Sequence, residues 1–287
     1  MKRIIDLLIV GIILPGLILV ALLMNFVSKG HAGLDNENHG EVIALYRMEN
    51  EDDVGSRNLH SKTNGTFVAG KNEKALLLKG QEYFAVTDDD ELRLYSHFTI
   101  AAWIKLGNQT SDFEILVGSN EKEFVAYISL AVEKTGNIRG VFRSDDKDSN
   151  RSVVRTQNRN VTDGKWHHLV FTSYNNLHRL YIDGEEIIRK KINWSHIADL
   201  DTTLVCISSA CDKWISGILA EENITVRGEN IIGTAKNVLV DDVVILQTDL
   251  SEYEVKGLMA DGLGKFLKRM PVDPQDMITT TWSKLKG

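Results

Sequence analysis

From residue 42 onward, apolar side chains recur at every second position in short runs broken by turn residues. In FTIAAWIKL, Phe98, Ile100, Ala102, Ile104 and Leu106 share one face, and Thr99, Ala101, Trp103 and Lys105 share the other. A period of two is the mark of strands with one face toward a core. Similar runs cover Val42 to Met48, Ala75 to Leu78, Tyr83 to Val86, Phe113 to Gly118, Glu123 to Val132 and Asn137 to Arg143. Further runs lie at Val153 to Thr156, Trp166 to Ile187, Thr203 to Ser208, Ile224 to Val226 and Val238 to Leu246. Thr135-Gly136-Asn137, Asn175-Asn176 and Asp183-Gly184 separate neighbouring runs. Asp-Gly suits the tight hairpin turn in which both central residues take positive φ. Roughly a dozen strands with turns every 8–12 residues predict an all-β, two-sheet antiparallel sandwich rather than parallel βαβ units.

Two stretches depart from that rhythm. Ser251 with Glu254 three residues later makes a capping box, and Gly262 sits near the end of the apolar pattern that follows, so one short helix is expected there. At the N-terminus, Ile4 to Val27 carries a single charge, Asp6, and follows Lys2-Arg3. That predicts an N-terminal hydrophobic helix long enough to span a bilayer, with its first residues held on the cytoplasmic side. The run exceeds the about 7–15 apolar residues of a cleaved leader, although Gly30-His31-Ala32 loosely fits a cleavage site. Residues 1–30 are therefore a signal anchor or a signal peptide, and either one exports the chain, to be membrane-anchored at the cell surface or secreted. Residues 31–40 read as a linker, 41–268 as the β domain and 269–287 as a C-terminal tail.

Composition narrows the classes of partner. Of 287 residues, 40 are acidic and 33 basic, for a net charge of −7. The basic residues at the leader's ends make the exported part more acidic still, which argues against nucleic acid. Cys206 and Cys211 are the two cysteines. In an exported chain they are expected to close a small disulfide loop; the alternative is a pair of free thiols or metal ligands. Six Asn-x-Ser/Thr sequons, at Asn64, Asn108, Asn150, Asn160, Asn193 and Asn223, carry meaning in a eukaryotic secretory pathway.

Five segments in order, VIALYRMEN, EKALLLKGQEYFAV, FTIAAWIKL, GKWHHLVFTSYNNLHRLYIDGEEI and VDDVVILQTDLSEYEV, resemble a concanavalin A-like, laminin G-like jelly-roll domain. The resemblance spans about residues 41–260. It implies two facing antiparallel sheets with the first and last strands close together. It also implies a module that binds glycans, extracellular proteins or the wall, with Ca2+ as a candidate aid. Glu49 and Asp52 resemble the family's early acidic loop, with Asp53 as an alternative to Asp52, and Asp241 belongs to the late acidic pair. The resemblance implies that Glu49, Asp52 and Asp241 converge on one Ca2+ ion; the alternative is a solvated acidic loop with a turn-forming Asp.

The remaining candidates are weighed against ordinary structure. His167 and His168 are strand neighbours, point to opposite faces and cannot readily share one metal. Trp103 and Trp166 are expected in the core, whereas Trp194 and Trp214 fall in loops where indoles stack on sugars. No Glu-x-Asp-x-x-Glu strand, nucleophile elbow, phosphate loop or zinc-helix motif occurs, so no catalytic role is expected. A polysaccharide-active enzyme on the same fold and a structural envelope protein are the alternatives.

Overall fold

The computed structural model describes residues 42–267 except 56, 60, 80, 81, 83, 87–96, 108–112, 123, 124, 144–150, 175, 193–203 and 208–236. Outside the described residues lie the predicted leader and linker, the run at 224–226, Trp194, Trp214, Cys211 and the tail. Among the described residues, no helix is long and apolar enough to cross a membrane.

The described strands are β1 (Val42–Tyr46), β2 (Ser61–Thr63), β3 (Thr66–Ala69), β4 (Lys74–Leu78), β5 (Phe84–Val86), β6 (Phe98–Lys105), β7 (Phe113–Lys122) and β8 (Val125–Glu133). They continue with β9 (Ile138–Arg143), β10 (Arg151–Arg155), β11 (Trp166–Tyr174), β12 (Leu177–Ile182), β13 (Glu185–Lys191), β14 (Leu204–Ile207) and β15 (Val238–Leu246). A helix, α1 (Glu252–Leu267), follows. All pairings among the described strands are antiparallel. One sheet runs β13-β12-β11-β6-β15-β4-β3, with β1 also on β15; the other runs β10-β9-β8-β7-β14-β5-β2.

Alternation explains the shared core. Ile100, Ala102 and Ile104 of β6 and Leu169 and Phe171 of β11 meet Ile128, Leu130 and Val132 of β8 and Phe142 of β9 in one buried apolar cluster fed by both sheets. Phe98 stacks on Phe142 with centroids 6.0 Å apart and meets Phe171 edge-on at 5.2 Å. β1 lies against β15 with Val42 opposite Leu246, which joins the early and late strands as the resemblance implies.

The hairpins follow their turn residues. Asp183 and Gly184 have φ of 52° and 82°, the doubly left-handed turn that their sequence predicts, and Asn176 has φ 65°. Gly136 turns β8 into β9 at φ 80°, and a Cβ there would press into the Asn160 side chain. Gly136→Ala is therefore expected to lower the unfolding free energy by more than about 1 kcal/mol, read as a shift in the urea midpoint at constant slope.

Helix α1 adds a layer. Ser251 N–H donates to Glu254 Oε2 at 2.8 Å and Glu254 N–H to Ser251 Oγ at 3.3 Å, closing the capping box in both directions. Gly262 takes φ 69° and breaks the helical path, but helical turns resume to Leu267, so Gly262 marks a kink rather than the end. Leu250, Val255, Leu258, Leu263 and Phe266 bury a second cluster against Leu45, Ala101, Val170, Tyr181, Val244 and Leu246. These strand residues point away from the inter-sheet core. The helix thus covers part of the outer face of the β6-containing sheet, and the strands beneath it are apolar on both sides.

Candidate ligand-binding face

The register of β4, β15, β6 and β11 sets side chains of the outer face in rows. Val244, Ala101, Val170 and Tyr181 form one row and lie under α1. The next row is Asp241, Trp103 and His168; the one beyond is Leu77, Leu239, Lys105 and Trp166. In these two rows Trp103, Trp166, Lys105, Leu77 and Leu239 are half-buried and belong to neither apolar cluster. This corrects the expectation for Trp103 and Trp166. Alternation assigns them to a face, and that face is the outer one, beyond the cover of the helix. The two indoles occupy diagonal positions on adjacent strands, since Trp166 opposes Lys105 and Trp103 opposes His168.

Polar groups surround the rings. The Lys71 Nζ sits 4.8 Å from the Trp103 ring centroid, an exposed cation–π contact worth about 0.5–1 kcal/mol. The His168 ring lies 5.1 Å from the Trp103 ring. His168 is buried, its Nδ1 has no hydrogen-bond partner, and burial lowers its pKa to about 4, so it is neutral near pH 7.

Asp241 stands beside Trp103 at a bulge in β15, where Asp242 takes φ 47°. Its Oδ2 accepts from the backbone N–H of Lys71 and of Asn72, both at 2.9 Å. Its Oδ1 is buried with no partner. Burial pushes the Asp241 carboxyl up to about 7, and the adjacent Asp242 charge adds to the shift. Burial also raises Asp242, whose carboxylate accepts from Asn72 Nδ2 at 2.7 Å.

The proposed Ca2+ residues use their oxygens differently. Glu49 Oε1 accepts from the Lys74 N–H at 3.1 Å, so it and Asp241 both hold the turn at 71–74. Asp52 accepts from Asn50 Nδ2 at 2.6 Å on an exposed loop. Asp53 is buried and ties that loop to β1: Oδ1 accepts from Leu45 and Gly55, each at 2.8 Å, and Oδ2 from Leu59 at 2.9 Å. Among the described residues no group of three or more His, Cys, Asp or Glu is placed to hold a metal ion. A Ca2+ ion needs six to eight oxygens, and Glu49 and Asp241 each give one to main-chain donors of the 71–74 turn. The oxygens of Glu49, Asp53 and Asp241 answer to backbone donors, and that of Asp52 to the Asn50 side chain.

The histidine pair divides as alternation requires. His167 lies at the rim on the opposite face from His168, with Nδ1 2.8 Å from Asp183 Oδ2 and Nε2 3.1 Å from Asp163 Oδ1. It clasps the β12–β13 turn to the loop before β11. Cys206 lies on β14, paired with Ala85 and Gly118, and its predicted disulfide partner Cys211 is outside the described residues. Trp194 and Trp214, the indoles singled out for sugar stacking, are outside them too.

A family model described as the concanavalin A-like lectin/glucanases superfamily matches residues 78–256. No curated protein matches the chain. Among solved structures, the binding domain of Paraclostridial Mosquitocidal Protein 1 is similar at TM-score 0.58 and 17% identity, covering 77% of this chain and 52% of that one. Domain 4 of AbnA, an extracellular arabinanase from Geobacillus stearothermophilus solved with arabinotriose, matches at 0.56 and 16%, covering 77% of this chain and 100% of the domain. The binding domain of Botulinum neurotoxin DC, solved with rat synaptotagmin II, matches at 0.57 and 14%, covering 79% of this chain and 52% of that one. The chain thus spans about half the length of both toxin domains, and at these identities the likeness is one of fold.

Proposed function

Because the chain belongs to the concanavalin A-like lectin/glucanases superfamily, we propose that it is a non-catalytic binding module for carbohydrate or an extracellular protein. The observation that carries this reading is the part of the outer sheet face that α1 leaves half-exposed, where two indoles stand among hydrogen-bonding groups. Aromatic rings with a polar surround are what sugar rings and receptor side chains both use. The similar arabinanase domain and toxin binding domains support the same reading. A hydrolytic role on this fold would call for two carboxyl groups flanking a glycosidic bond, about 5–5.5 Å apart in a retaining enzyme. Glu49, Asp53 and Asp241 instead spend oxygens on backbone N–H groups. Export through the N-terminal apolar run belongs to the same proposal, since it would place the module where glycans and receptors are.

The test is direct. The full chain, immobilised, is screened against a glycan array and a panel of extracellular proteins, and in parallel assayed for release of reducing ends from polysaccharides. Saturable binding without hydrolysis is the expected outcome. Hydrolysis abolished by a single carboxylate-to-amide change would replace this reading with the enzymatic one.

A further inference from the structure

We infer that the Trp103–Trp166 face binds an acidic oligosaccharide, with sugar rings on the two indoles and sugar carboxylates on Lys71 and Lys105. This rests on the binding-module reading and gives it a place and a ligand class.

Three observations converge on the face. Trp103 and Trp166 lie on adjacent strands at diagonal register, a spacing of about 7–8 Å within reach of large side chains, so neighbouring rings of one glycan can lie on both. The helix buries the adjoining row, while Trp103 and Trp166 stay half-buried, so the indoles keep access to solvent. The charges set against the indoles themselves are cationic in a chain whose net charge is −7: exposed Lys71 reaches over the Trp103 ring, and half-buried Lys105 is the direct partner of Trp166. Asp241, the carboxylate in these rows, is fully buried and adds no open negative surface.

The chemistry favours a sugar over a protein partner. Protein interfaces deplete charge at their centre, whereas here a lysine stands against each indole. Lys71 is exposed on a turn, so its ammonium can swing off the Trp103 ring as a sugar's C–H face comes on, and then donate to a carboxylate. Asp242 and Glu49 lie at the same corner and turn oxygens to Asn72 Nδ2 and the Lys74 N–H, so the lysines, not these carboxylates, stand against the ring faces. The charge pattern therefore selects carboxylated over neutral sugar.

The experiment titrates the full chain with an oligo-uronate hexasaccharide and with its carboxyl-reduced neutral counterpart, following tryptophan fluorescence and calorimetry. The uronate is expected to bind and the neutral form to bind at least about tenfold more weakly, with affinity falling as salt rises. Lys71→Glu, on an exposed turn, and Lys105→Glu are each expected to weaken uronate binding about tenfold and to flatten the salt dependence. Trp166→Ala should abolish it, with a thermal melt to show that the variant is folded; the two lysine variants carry the test if it is not. Equal binding of the neutral form, or uronate binding indifferent to all three substitutions, overturns the inference while leaving a binding module elsewhere on the surface. No uronate binding, together with a glycan or protein hit in the wider screen, has the same consequence. Silence in that screen as well removes the broader reading.

Discussion

Asp53→Ala is expected to cost about 3 kcal/mol or more of folding free energy, which makes it one of the most damaging single changes in the domain. Asp53 is 4% exposed, and its two oxygens take three backbone donors, from Leu45, Gly55 and Leu59. Leu45 and Leu59 are themselves buried, so loss of the carboxylate leaves their N–H groups without water to replace it. Asp53→Asn keeps one carbonyl oxygen and should fall between the two. Chemical denaturation of the three proteins at pH 7.5 reads the order directly. Wild-type stability in Asp53→Ala would mean that the 53–59 loop contributes nothing to holding β1.

The second large effect is a pair of opposed pH dependences. His178 is fully buried between Phe142 and Phe171, and neither ring nitrogen has a hydrogen-bond partner. Burial lowers it to about 4, assisted by Lys190 opposite. The unfolded chain binds that proton near the ordinary 6.5, so between about pH 6.5 and 4 it holds more protons than the folded chain does. Acidification through this window therefore destabilises the fold. His178→Leu should remove this residue's share of the slope, leaving that of His168, so that the variant gains on wild type by about 2–3 kcal/mol between pH 7.5 and pH 4.5.

Asp241 has the opposite sign. Its folded value near 7 lies above the ordinary 3.8, so the folded chain holds the extra proton, and raising the pH from 4 to 8 erodes stability. Asp241→Asn retains an acceptor for Lys71 and Asn72 and should gain on wild type by about 4 kcal/mol over that range. Melts of wild type and both variants at four pH values settle both signs. Parallel curves for either variant would refute the buried titration assigned to that residue.

The strands most legible in the sequence are those with one clean apolar face and a strong turn beside them, such as β6 and the β11–β12–β13 unit with its Asn176 and Asp183-Gly184 turns. β2 and β3 escaped notice because Ser61–Thr63 is polar and Thr66–Ala69 only four residues long, both at sheet edges with little periodicity to read. The placement of Trp103 and Trp166 was hidden for another reason. A period of two separates two faces without saying which one meets the other sheet, and a third layer makes the outer face apolar in places as well. The Val244–Ala101–Val170–Tyr181 row is as apolar as the core, so composition alone could not rank the faces. The acidic residues show the same limit. Glu49, Asp53 and Asp241 were visible as carboxylates in turn-rich segments, but their partners are main-chain groups, and an amino-acid sequence does not display where main-chain donors converge.

The position of β15 has a consequence for how the molecule is made. This strand, the last one described, lies between β6 and β4 and also pairs β1. A ribosome delivers those three neighbours long before residues 238–246 emerge, and until then their inner edges have nothing to close upon. The sheet is thus completed by insertion rather than by growth from one side. Its slow step is the closure of contacts far apart along the polypeptide, and β15 must have emerged before cooperative stability exists.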